Sequence, residues 1–328
     1  MKKPGAGLGV VMVVSSGALF AVNGTVSKLV LRAGVDAPQL TLVRAAGAFA
    51  GLLLISLATG PRRLRLTASE LPLIAAYGLA GFFLVPMLYF VAIARMPVGI
   101  ALLFEYTAPL LVALWARFGQ GQQVRPRLWA GLALSLAGLA CVAEVWGDLR
   151  LDGVGVLAGF GAAVLLAVYY IVGAHGVQHR DTLSLTTWAF GASAVAGLFT
   201  RAATAGTGGW EPLTGSSHGV PVALLCMYVV VLGSIVPYLL VTGALRYLPA
   251  TSVGIIGMVE PVIAAAVAWL VIGAGEALEA AQLAGGLLVL TGVALAETAR
   301  VATGQQRQPP APDALLPANA VDTASRPG

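Results

Sequence analysis

Apolar residues along this chain come in long blocks, each closed by a short polar or Pro/Gly-bearing stretch such as GPRRLRLTASE (60–70) or RFGQGQQVRPR (117–127). The blocks lie at about 8–31, 37–58, 71–94, 98–116, 128–146, 154–174, 182–203, 220–244, 251–272 and 278–299. Crossing roughly 30 Å of hydrocarbon takes about 20 apolar residues per helix, because every backbone N–H and C=O must be paired within the segment. The pattern therefore predicts an all-α integral membrane protein of ten transmembrane helices. The connections are too short to hold a separate soluble domain. After Arg300 the chain turns rich in Pro, Ala and Gln, so 301–328 reads as a disordered cytoplasmic tail.

Composition agrees. Of 328 residues, 58% are hydrophobic and 10% charged, where a soluble domain carries about 25% charge. Lys2 and Lys3 before an apolar run could open a signal peptide. That run is long, contains Asn23 and Lys28, and lacks a small-x-small cleavage site, so it reads as the first helix. With the N-terminus inside, Arg62, Arg63, Arg65, Arg117, Arg125 and Arg127 fall on the cytoplasmic side, and Arg32, Arg95, Arg150 and Arg201 on the outer side. That bias puts both termini in the cytoplasm. It also accounts for the net charge of +5 as a topology signal, with no basic cluster left to bind nucleic acid. Cys141 and Cys226 sit singly in apolar helices and read as small packing residues.

The two halves align. VPMLYFVAIARMPVGIALLFEYTAPLLVAL (85–114) matches VPYLLVTGALRYLPATSVGIIGMVEPVIAAA (236–266) with one insertion. Pro86 then meets Pro237, Arg95 meets Arg246, and Pro109 meets Pro261; further on, Gly131 meets Gly285 and Gly138 meets Gly292. The chain reads as five helices written twice, 1–147 and 148–300. An odd number per copy requires the second to enter the membrane from the opposite side. Such inverted repeats recur in secondary transporters, whose halves rock about a central site.

On these residues the chain resembles the EamA family of the drug/metabolite transporter superfamily. The carriers are the duplication, MVEPVIAAAVAWLVIG (258–273) followed by Glu276, QLAGGLLVLTGVAL (282–295) and Arg44. VGIALLFEYTAPLLVAL (98–114) is similar to the threonine/homoserine exporter branch. The resemblance implies a ten-helix inner-membrane permease that exports small metabolites. The chain departs from the family pattern where Ala274 and Gly275 pad the usual Gly-Glu pair.

Lys28, Arg44, Glu105 and Glu260 lie within or near the ends of the apolar spans. Each would cost roughly 2.5 to 3.5 kcal/mol facing lipid at a helix centre, so each should face the bundle interior or water. Arg44 and Glu105 fall at similar depth and are expected to pair. Pro109 cannot donate to the carbonyl of Glu105, and Pro261 likewise frees that of Gly257. With Pro86 and Pro237, these positions are expected to break helices around a cavity.

Glu105 reads either as a structural ion-pair partner or as a ligand for a substrate amine or a proton. Glu260 reads as a second such carboxylate or as a cap of freed backbone. Arg44 could hold a substrate carboxylate, and Tyr106 is the aromatic kept for the site. Tyr89, Tyr169, Tyr170 and Trp188 read as packing or interfacial anchors, Lys28 as snorkelling to the interface, and the Gly47/Gly51 and Gly155/Gly159 spacings as helix contacts.

The expected partners are a small-molecule substrate and the bilayer, with a homodimer as an option and no nucleic acid. No metal or cofactor is expected, and no phosphate-binding loop is present to power transport with ATP. The functional reading is export of amino acids or similar metabolites by alternating access, with proton coupling through a buried carboxylate. The alternatives are an importer or exchanger of sugar-like or phosphorylated solutes, a multidrug cation pump, and, from another class, an intramembrane protease using Ser193 and His175. The protease lacks supporting partners.

Overall fold

A computed structural model describes residues 5–145, 151–203, 211–217, 219–264, 266 and 280–305. Its long helices are α1 (Ala6–Arg32), α2 (Ala37–Thr59), α3 (Ala68–Arg95), α4 (Val98–Gly119), α5 (Pro126–Val142), α6 (Gly153–His179), α7 (Thr182–Ala203), α8 (Val222–Ala244), α9 (Ala250–Ala264) and α10 (Ala280–Gln305). Eight of them are long and apolar enough to cross a membrane, while α5 and α9 are shorter apolar helices. The far end of the ninth expected span, with Ala274 and Gly275, lies outside the described residues, as do Lys2, Lys3, Trp146 and the tail beyond Gln305. α10 itself runs past the expected boundary at Arg300.

Local chemistry sets the starts of the helices. Asp36 accepts from Gln39 N at 2.7 Å, Asp152 from Gly155 N at 2.8 Å and Asp181 from Ser184 N at 3.0 Å, each satisfying an orphan donor of a first turn. A two-residue antiparallel ladder, Ser216–Ser217 with Val220–Pro221, leads into α8 and is the one departure from an all-helical fold among the described residues. The connection from α2 to α3 is tied down by Arg180, which pairs with Glu70 at 2.5 Å and donates to the carbonyls of Arg63 at 2.8 Å and Arg65 at 2.7 Å.

Helix contacts pair one half with the other. α5 packs on α10, α2 on α7, α1 on α8 and α4 on α9, while α3 packs on α6. Glycine makes the closest of these contacts possible. A Cβ at Gly131 would stand 2.6 Å from the Gly292 carbonyl, and one at Gly138 2.6 Å from that of Gly285. The sequence makes Gly131 the counterpart of Gly285 and Gly138 that of Gly292. Exchanging the halves therefore maps these contacts onto themselves, as an isologous interface requires. Gly47 against Val230, Gly51 against Ile235, Gly155 against Met96 and Gly159 against Phe104 are likewise packing contacts, as expected.

Two helices depart from the continuous α-helices expected at 71–94 and 220–244. α3 holds a π-helical stretch, Gly78–Leu84, and α8 another, Val231–Ile235. Each stops immediately before a Val-Pro pair, Val85-Pro86 and Val236-Pro237. A proline ring collides with the carbonyl four residues back and offers it no N–H, and the wider π turn relieves the collision.

Candidate functional site

The helices enclose a central cavity of about 100 Å³, room for several waters. Its wall includes Ser16, Asn23, Arg44, Glu105, Tyr106 and Glu260, together with Tyr89, Tyr169, Tyr170 and Tyr238.

Two broken helices deliver the acids. α4 is interrupted at Tyr106 and Thr107, where the Thr107 N–H turns back to the Phe104 carbonyl at 3.1 Å. α9 is interrupted at Met258 and Val259, whose N–H groups reach Ile255 and Ile256 three residues back, each at 3.1 Å. The breaks precede Pro109 and Pro261 as expected, and they coincide when the halves are aligned. Glu105 ends the first segment of α4, and Glu260 opens the second segment of α9. Tyr106 Oη donates to Glu260 Oε2 at 2.6 Å, linking the two breaks directly. Glu105 is half-buried and makes no hydrogen bond or ion pair among the described residues.

The expected Arg44–Glu105 ion pair does not form. Arg44 is 2% exposed and donates through Nη1 to Ser234 Oγ at 3.2 Å and through Nη2 to the Phe82 carbonyl. Its guanidinium carbon lies 5.5 Å from the Phe190 ring centre and 5.2 Å from that of Tyr238, within the range for cation–π attraction. The cause is Pro86. Phe82 sits four residues before it, so the Phe82 carbonyl is released from the helix and accepts from Arg44 and, at 2.8 Å, from Ser193 Oγ. The i−4 rule that exposes the Glu105 and Gly257 carbonyls applies equally to Pro86, and that is the signal by which this anchor was legible. Arg44 thus lines the cavity with its fork directed into the protein.

Of the four prolines, Pro86 lines the cavity. Pro109 packs behind it against Gly254, and Pro237 and Pro261 shape the helices without forming its wall. Tyr89, Tyr169 and Tyr170 pack as expected, Tyr169 stacking on Tyr77 with ring centres 5.0 Å apart, and all three also line the cavity, whereas Trp188 donates to the Leu64 carbonyl at 3.2 Å. Asn23, Ser234 and Tyr238 escaped the sequence reading because an isolated polar residue in an apolar span carries no signal of what it faces. Lys28 lies with Arg32 and Arg95 at the ends of α1 and α3, its Nζ 3.4 Å from the Met96 carbonyl. Ser193 is fully buried on Phe82 while His175 is exposed, which leaves no protease dyad. Among the described residues no cluster of His, Cys, Asp or Glu could hold a metal.

Long apolar helices around a cavity lined by two acids and several tyrosines define a polytopic membrane transporter. The chain belongs to the EamA-like transporter family, whose model matches it twice, over residues 7–143 and 153–298. It is 30% identical over 236 residues to the threonine/homoserine exporter RhtA of Salmonella typhimurium LT2, covering 70% of this chain and 72% of that one. It is also 30% identical over 238 residues to the RhtA of Escherichia coli K12, with the same coverage. An uncharacterized transporter of Archaeoglobus fulgidus is 26% identical over 274 residues, 83% of this chain and 91% of its own. A solved crystal structure shares the fold with a TM-score of 0.72 at 20% identity, covering 90% of this chain and 99% of that one.

Proposed function

We propose that the protein exports an amino acid or a similar small amine by alternating access, and that Glu105 and Glu260 receive the amine in the central cavity. The observation that carries this reading is the convergence of two carboxylates, one from each half, on one cavity where neither is paired with a cation among the described residues. An intramembrane carboxylate without a counter-ion needs a cation or a proton to offset its burial. A substrate ammonium supplies one, and protons entering from the other side compete for the same oxygens, which would couple export to proton entry. Exporters of threonine and homoserine among the relatives support the substrate class.

The proposed topology is two five-helix units, 1–147 and 148–300, inserted in opposite senses with both termini in the cytoplasm. The double family match and the exchange-symmetric glycine contacts support it. Rocking of one unit against the other would open the cavity alternately to each side.

A second reading, efflux of a lipophilic cation, is favoured by one observation. Arg44 is engaged by Phe82, Ser234 and two rings, so a substrate carboxylate would have to compete for it, while the cavity offers acids and aromatic faces. Phosphorylated solutes fit less well for the same reason. Purified protein in liposomes separates the readings. Counterflow of labelled threonine or homoserine, accelerated by an inward proton gradient, is the expected result. Flux of a lipophilic cation with none of any amino acid would replace the first reading with the second, and equal rates with and without the gradient would remove the coupling.

A further inference from the structure

A second hollow opens where α1 and α3 end. It holds about 460 Å³ and is bounded by Lys28, Leu31 and Arg32 of α1, by Ile93 and Arg95 of α3, and by Met96 just beyond. α1 has 27 residues, which at about 1.5 Å each cover roughly 40 Å, the thickness of a bilayer with its headgroups. Arg32 and Arg95 are the last residues of two helices long and apolar enough to cross a membrane, so the hollow stands at headgroup depth. Its charges are unbalanced. Lys28 and Arg32 lie one turn apart on the same helix, a spacing at which like charges destabilise each other. Lys28 Nζ reaches the Met96 carbonyl at 3.4 Å, and neither Lys28 nor Arg32 has an ion pair among the described residues. Arg95 meets Asp152 at 3.5 Å, with 47% and 38% of the two side chains exposed, a weak surface pair that leaves the guanidinium donors for a second acceptor. A cation at the end of each helix offsets the helix dipole. The third cation, and the hollow that all three border, need another explanation.

We propose that this hollow is a phosphate-binding site and that its ligand is the headgroup of an anionic membrane phospholipid. A phosphodiester accepts from several donors at once, so one group answers Lys28, Arg32 and the free side of Arg95 together. The apolar residues beside the cations then receive the glycerol and acyl portion, a contact that inorganic phosphate does not make. Basic hollows at the ends of membrane helices suit lipid headgroups for these two reasons. The site shares no lining residue with the central cavity, and it stands whatever the cavity carries.

The test titrates the full chain, in a non-ionic detergent, with phosphatidylglycerol, phosphatidylcholine or inorganic phosphate and counts bound molecules by native mass spectrometry. The wild type should retain phosphatidylglycerol severalfold better than phosphatidylcholine, and excess inorganic phosphate should leave that lipid in place. Affinity for phosphatidylglycerol should fall roughly fivefold for each cation removed, in Arg32→Gln and further in Lys28→Gln with Arg32→Gln. The single change lies at an exposed position and keeps the comparison available should the double variant not fold. Arg117→Gln with Arg127→Gln removes two exposed cations outside the hollow and should leave the affinity unchanged. Equal retention of the two lipids, or an Arg32→Gln protein that binds phosphatidylglycerol as the wild type does, overturns the proposal. A matching loss in the Arg117 and Arg127 variant would reduce the effect to general surface attraction and also overturn it. Displacement of the lipid by inorganic phosphate would assign the site to a soluble phosphate and refute the lipid as its ligand.

Discussion

The broken helices α4 and α9 occupy equivalent places in the two halves and interrupt at aligned residues, yet they present their acids from opposite sides of the break. Glu105 precedes the interruption and aligns with Gly257; Glu260 follows it and aligns with Ala108. Glu260 is held by Tyr106 of the other half, whereas Glu105 is left open to the cavity. The scaffold is repeated and the chemistry is not. Both halves carry a helix interruption beside the cavity, and the acids differ in their surroundings, Glu260 accepting from Tyr106 and Glu105 having no hydrogen bond or ion pair among the described residues.

The largest test of that division is charge removal. Glu105→Gln should lower amine flux by roughly 100-fold, since an intramembrane acid open to a cavity is functional by default, and Glu260→Gln by less, because a glutamine there still accepts from Tyr106. Parallel uptake assays on the two variants decide it, and equal losses would erase the distinction between the breaks. Next comes the tether between the two breaks. Tyr106→Phe removes a hydrogen bond to a charged group, about 1.5 to 3 kcal/mol. Amine affinity in that variant should change by roughly tenfold or more with the fold intact, as read by ligand titration and a melting curve on the same sample.

Smaller effects probe the frame rather than the acids. Arg44→Met takes one donor from the Ser234 hydroxyl, which still donates to the Val229 carbonyl at 2.7 Å, and one from the Phe82 carbonyl, which keeps its bond from Ser193. Thermal unfolding should show a loss of about 1 to 3 kcal/mol. A loss of flux without any loss of stability would instead give Arg44 a direct part in binding. Gly138→Ala sets a methyl 2.6 Å from the Gly285 carbonyl, and overpacking of this kind costs about 1 to 3 kcal/mol. The same change at Gly285 should cost a similar amount. Markedly unequal costs would show that the α5–α10 contact is less symmetric than its geometry.

The membrane class and the breaks before Pro109 and Pro261 follow from rules that act along the chain, whereas at Pro86 and Pro237 the expected breaks are absent and the helices stay continuous through a π-helical stretch. Apolar length sets a span, proline removes a fixed i−4 bond, and a repeated pattern folds alike in both copies. Glu105 and Glu260 could be placed for a related reason, since charge in an apolar span must turn away from lipid, and both line the cavity. Which groups meet across the bundle was decided by tertiary structure. Arg44 found a carbonyl released by Pro86 and two aromatic rings in place of an acid, Tyr106 crossed to Glu260 of the other half, and Asn23 was fitted into the space a distant glycine leaves. Those outcomes depend on the crossing of helices far apart in sequence, where local chemistry fixes what each residue needs and only packing fixes what it meets.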